Sequence, residues 1–150
     1  MGDRTVVIGI GNRDRGDDAV GPAVLDRLAG PLPADVETVC TDGDPGDVLE
    51  ALAGCRRTIV VDAVSPAGRP GRLVRMTDRT ALASVRPSSS HALGPAEVLD
   101  LAAQLERLPA DVVVYGIEGA AFGPGRPMSP AVEDAVEVAV GMILEEVADA

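Results

Sequence analysis

Three places in this sequence hold side chains able to do chemistry. The first is G-I-G-N-R-D-R-G-D-D at residues 9–18, where Asp17 and Asp18 stand together behind a glycine-rich turn. The second is Asp62, a lone acid inside the apolar run T-I-V-V-D-A-V. A charge at the end of a buried strand is expensive to desolvate unless it is paired or meets a cation, so Asp62 is read as functional. The third is His91, the one histidine of the chain, in S-S-S-H-A-L-G-P. Two carboxylates and an imidazole make an N/O ligand set suited to Zn, Ni, Fe or Mn. Of the two adjacent acids, Asp17 is assigned to capping the helix that follows.

Other chemistries fail on their own requirements. Gly9 and Gly11 begin a dinucleotide fingerprint, but Asp14 occupies the third glycine's place, and Asp14, Asp17, Asp18 and Asp26 would repel a pyrophosphate. No Lys exists for a phosphate loop, and H-E-x-x-H and G-x-S-x-G are both absent. Cys40 and Cys55 form no C-x-x-C and are read as two reduced core residues without a role. The net charge of −11 and an aromatic content of one Tyr and one Phe argue against nucleic acid, and the charge against an anionic membrane surface. No secretory leader or membrane span is legible, which predicts a cytoplasmic location.

Positioning those residues is the task of alternating strands and helices. Strands are predicted at 5–10, 36–40, 58–64, 72–76 and 111–117. Helices are predicted at 21–28, 44–53 and 95–105 and from Ser129-Pro130 onward. Asp44 with Pro45 signals the second helix start and Gly54 its stop. This alternation predicts one α/β domain over 1–150, a three-layer α/β/α sandwich on a mostly parallel sheet. The connection 65–71 is too short for a parallel crossover, so the fourth strand is expected to be antiparallel. The Gly/Pro-rich stretch 120–130 is expected to be an exposed, mobile loop that helps dock a partner.

The chain resembles the hydrogenase maturation endopeptidases. The resemblance rests on G-I-G-N-x4-D-D-x-x-G-P at Gly9–Pro22, Asp42-Gly43, V-V-D-A at Val60–Ala63, S-S-H before its helix, Y-G-I-E and M-S-P-A-V-E-D-A-V. It implies a five-stranded mixed sheet of phosphorylase/hydrolase-like type and an aspartyl-type endopeptidase. Such an enzyme removes the C-terminal extension of a [NiFe]-hydrogenase large-subunit precursor after nickel insertion. By the resemblance Asp18 and Asp62 supply the metal-contacting carboxylates and His91 the imidazole, with Asp42 a further acid near the cleft. Ala19 stands where the family often has Gly, and Ser90 where it often has Thr. The resemblance further implies that the nickel is carried by the precursor and that the free enzyme holds it weakly or not at all. The alternative function is a nickel-checking assembly factor that docks the precursor without cutting it. A peptidyl-tRNA hydrolase, which shares the G-x-G-N start, would need an early His and a basic surface, and neither is present.

Overall fold

β-Branched residues fill the two runs at the centre of the sheet. Val6, Val7 and Ile8 of β1 (Arg4–Ile10) and Ile59, Val60 and Val61 of β3 (Cys55–Val64) are buried on both faces, as strands between two helical layers must be. The computed structural model describes residues 4–77 and 95–148. It adds β2 (Val36–Thr41), β4 (Leu73–Met76) and β5 (Asp111–Glu118), giving the order β2-β1-β3-β5-β4. β1 pairs in parallel with β2 and β3, and β3 with β5. β4 runs antiparallel to β5 with Leu73 opposite Ile117, as the short connection before it requires.

A single 3-10 turn (Gly16–Ala19) leads into α1 (Val20–Leu28), and the later helices are α2 (Pro45–Leu52), α3 (Pro95–Gln104) and α4 (Pro130–Ala148). Asp44 caps α2 by accepting from the Gly46 amide at 2.7 Å, with Pro45 at the first helical position. Alternate strand residues point to opposite layers. Val7, Ile59, Val61 and Val113 pack with α1 and α4, while Val6, Ile8, Val60 and Val114 pack with α2 and α3. The expected three-layer α/β/α sandwich, with a five-stranded mixed sheet and one antiparallel strand, is therefore the fold.

At the edge where the parallel strands begin, one half-buried acid ties the outer strand down. Glu146 of α4 accepts from the Tyr115 hydroxyl and from Arg75 of β4, while Arg57 donates to the Glu146 carbonyl at 2.8 Å. Burial, followed by Glu146, raises the Tyr115 hydroxyl pKa, so it stays a donor. The opposite edge is left for chemistry. The chain leaves β1 for the outer strand β2 and leaves β3 toward β5, so their carboxyl ends flank the point where strand order reverses. That is where an open α/β sheet forms its crevice.

Candidate active site

The turn after β1 is folded tightly enough to return an acid to the strand it has just left. Gly11 has φ +149°, and a Cβ there would lie 1.9 Å from the Asp18 carbonyl oxygen. That carbonyl accepts from the Asn12 amide at 3.1 Å. Only glycine allows this approach. The 3-10 turn then buries Asp17 and Asp18, which are 0% and 5% exposed. Across the reversal point, Asp62 of β3 is 6% exposed and accepts from the Ala63 amide at 2.8 Å. Burial, and then the charge of Asp18, hold the Asp62 pKa well above the usual carboxylate range, against the Ala63 N–H that favours its ionised form. Asp18 and Asp62 thus face one another electrostatically, as two carboxylates brought out of water at one site. A buried carboxyl that keeps its proton beside a second acid is suited to give that proton up to a cation.

The other predicted residues divide. His91 lies outside the described residues. Among those that are described, no set of three His, Cys, Asp or Glu side chains is grouped to hold a metal ion. Asp42 is exposed at the end of β2, where its carboxylate accepts from the Asp44 amide at 3.1 Å. Asn12 is exposed as well and turns the chain locally by accepting from the Asp14 amide at 2.9 Å. Asp26 lies away from the pair, bound by both terminal nitrogens of Arg13 at 2.5 and 3.0 Å.

Asp17 does not cap a helix. The turn behind it has Arg15 at its N-cap position and no side-chain capping bond. The Asp17 carboxylate instead accepts from the Ala120 and Ala121 amides at 2.7 and 3.0 Å, and from the Ser129 amide and hydroxyl at 2.6 and 2.7 Å. Burial pushes its pKa up, but those donors outweigh burial and leave it below the usual value. The segment 120–130, expected to be mobile, is therefore pinned at both ends. It is tied further by Gly16 N–H to Arg126 O at 3.1 Å and Gly125 N–H to Asp14 O at 2.6 Å. A second latch went unread in the sequence. Buried Glu118 accepts from the Ala67 and Arg69 amides at 2.9 and 2.6 Å and fixes the loop after β3. The available signal was compositional: Gly/Pro-rich loops carry amides without ladder partners, and a buried acid nearby is their ordinary acceptor.

The cysteines also need correction. Both are free, as expected, but Cys40 is exposed and Cys55 only half-buried, so neither is a core residue. Arg4 donates to the Cys55 sulfur at 3.1 and 3.3 Å. No helix among the described residues is long and apolar enough to cross a membrane.

Comparison with known proteins gives this geometry a family. The family model for hydrogenase maturation proteases matches residues 41–146. The hydrogenase 2 maturation protease of Escherichia coli K12 is 29% identical over 146 residues, covering 94% of this chain and 88% of the relative. The solved structure of the hydrogenase maturating endopeptidase HybD from E. coli matches with a TM-score of 0.81 at 27% identity, over 97% of this chain and 93% of that one. The hydrogenase 2 maturation peptidase from Thaumarchaeota archaeon SCGC_AB-539-E09 matches at 32% identity and a TM-score of 0.69, over 96% and 97% of the two chains. With its G-I-G-N turn, buried acid pair and mixed sheet, the chain belongs to the hydrogenase maturation protease family.

Proposed function

We propose that this maturation endopeptidase removes the C-terminal extension of a [NiFe]-hydrogenase large-subunit precursor after nickel insertion, and that Asp18, Asp62 and His91 read the nickel the precursor carries. The observation that carries the reading is the Asp18–Asp62 pair. Two carboxylates are buried at the sheet's reversal point, and Asp62 accepts from the Ala63 amide and has a raised pKa. A buried carboxyl held protonated beside a second acid is one whose proton a divalent cation can replace. His91 precedes α3 by four positions in sequence. α3 leads down to the start of β5, so its N-terminal end belongs to the same sheet edge as the pair.

The precursor's nickel, once presented, supplies Lewis acidity at the scissile carbonyl or at a water. The chain's own part is to offer two carboxylate oxygens and one imidazole nitrogen and to leave the remaining coordination positions to the precursor. Asp62 releases its proton as the cation arrives, and the 3-10 turn keeps Asp18 from retreating into water. A free enzyme with this donor set binds metal weakly, because the set is complete only in the complex.

The test is cleavage of one precursor prepared with and without nickel. The nickel-loaded form should be trimmed and the nickel-free form left intact. Docking of the loaded precursor without any cut would make the chain an assembly factor, and equal trimming of both forms would overturn the nickel reading.

A further inference from the structure

The edge of the sheet that holds Asp18 and Asp62 is electrically lopsided. The loops leaving β3 and β5, residues 65–72 and 119–129, carry Arg69, Arg72 and Arg126 and no acid. The loop leaving β2 carries Asp42 and Asp44 and no base. Arg15, on the loop leaving β1, adjoins the basic side, because the Gly16 amide donates to the Arg126 carbonyl at 3.1 Å. All four arginines are exposed. Asp14, Glu133 and Asp134 belong to the same edge, yet among the described residues no carboxylate lies within ion-pair distance of Arg15, Arg69, Arg72 or Arg126.

This arrangement has two features of a built surface. The chain holds 24 acids against 13 arginines, so anions for pairing are in excess, and Arg13, Arg27, Arg57 and Arg75 find them. The rim arginines also sit on loops fixed from beneath by buried acids, Asp17 under residues 120–129 and Glu118 under residues 67–69. Cations on anchored loops with no ion-pair partner among the described residues, on a molecule of strongly negative net charge, select for a partner of opposite sign at that spot and reject it elsewhere.

We infer that the Arg15, Arg69, Arg72 and Arg126 rim is the docking surface for an acidic stretch of the precursor polypeptide, laid on the β3–β5 side of the carboxylate pair. Asp42 and Asp44 on the β2 side repel the same stretch, so the substrate crosses the site in one direction. The inference rests on the precursor being the partner and adds where it lies and which charge recognises it.

Binding and trimming of nickel-loaded precursor are measured in parallel for the wild type, Arg69→Glu/Arg72→Glu, Arg126→Glu and the control Arg56→Glu/Arg107→Glu. The control pair is likewise without an ion-pair partner among the described residues and lines a cleft at the opposite edge of the sheet. At low salt the rim variants should raise Kd and KM about tenfold with kcat retained, the gap closing at high salt, while the control stays within about twofold. Unchanged Kd and KM in the rim variants, or an equal shift in the control, would overturn the proposal. If wild type binds without cutting, Kd alone decides it and the proteolytic reading fails separately. A wild type that neither binds nor cuts overturns both.

Discussion

Asp17 and Asp62 are the same residue type, both buried at the same edge of one sheet, and the protein drives them in opposite directions. Asp17 is wholly enclosed and accepts from four donors, so it remains ionised more readily than an aspartate in water. Asp62 is slightly more exposed, accepts from a single amide among the described residues and feels the charge of Asp18, so its proton is held more tightly than usual. Burial is common to both and therefore does not separate them. The donors and the sign of the neighbouring charge do, and they separate a carboxylate that holds a loop from one that keeps its proton.

If that contrast is sound, the largest effect belongs to the pair. Asp18→Asn, Asp62→Asn and His91→Ala should each lower trimming of nickel-loaded precursor by about a hundredfold or more while the domain stays folded by circular dichroism. Full cleavage by any one of them would remove that residue from the site.

Asp17→Asn should act on stability first. An amide offers one acceptor oxygen, and its NH2 faces a loop amide that has lost its partner, at a cost on the order of 3 kcal/mol in chemical denaturation. The folded pKa of Asp17 is depressed, so its contribution is present above the ordinary carboxylate value and lost as pH falls through the folded value. The gap between wild type and Asp17→Asn should accordingly narrow in acid. A loss of only about 1 kcal/mol, with the 120–130 amides still protected from exchange, would return Asp17 to the role of a simple cap.

Asp62→Asn should move stability the other way. A carboxyl whose folded pKa is raised stabilises the fold fully below its ordinary value and loses that contribution as pH rises through the folded value. At neutral pH the variant should thus be more stable than wild type, by on the order of 1 kcal/mol, with the gain vanishing in acid. A variant could then be the more stable protein and the inactive one. No gain at neutral pH would mean that the pair is already satisfied without a cation.

Much of the fold was legible because its signals are local. The β-branched runs at 6–8 and 59–61, the Asp44-Pro45 start and the short 65–71 connection each constrain a neighbourhood of a few residues. Asp62 was legible for the same reason, as one charge in an apolar run. Asp17 was not. Its sequence neighbours suggest only a local cap, and its actual partners are a set of donors more than a hundred positions away, Ala120 being 103 residues along the chain. The arginine rim was equally hidden, since it is assembled from three loops that only the strand order β2-β1-β3-β5-β4 brings to one edge.

The smallest effect is expected of the cysteines. Replacing Cys40 and Cys55 together by Ser should leave trimming within about twofold of wild type, because Cys40 is exposed and half-buried Cys55 bonds Arg4 and the Ala51 carbonyl at the strand start, away from the acid pair. A folded double variant that no longer trims would give one of them a role at the site.

The contrast between the two aspartates is tested most directly by following their side-chain carboxyl carbons by NMR through a pH titration of the metal-free protein. Asp17 should titrate below the ordinary carboxylate range and Asp62 well above it, and adding cadmium as a diamagnetic probe should move the Asp62 resonance and leave Asp17 in place. Two midpoints on the same side of that range, or a cadmium response at Asp17 and none at Asp62, would contradict the account.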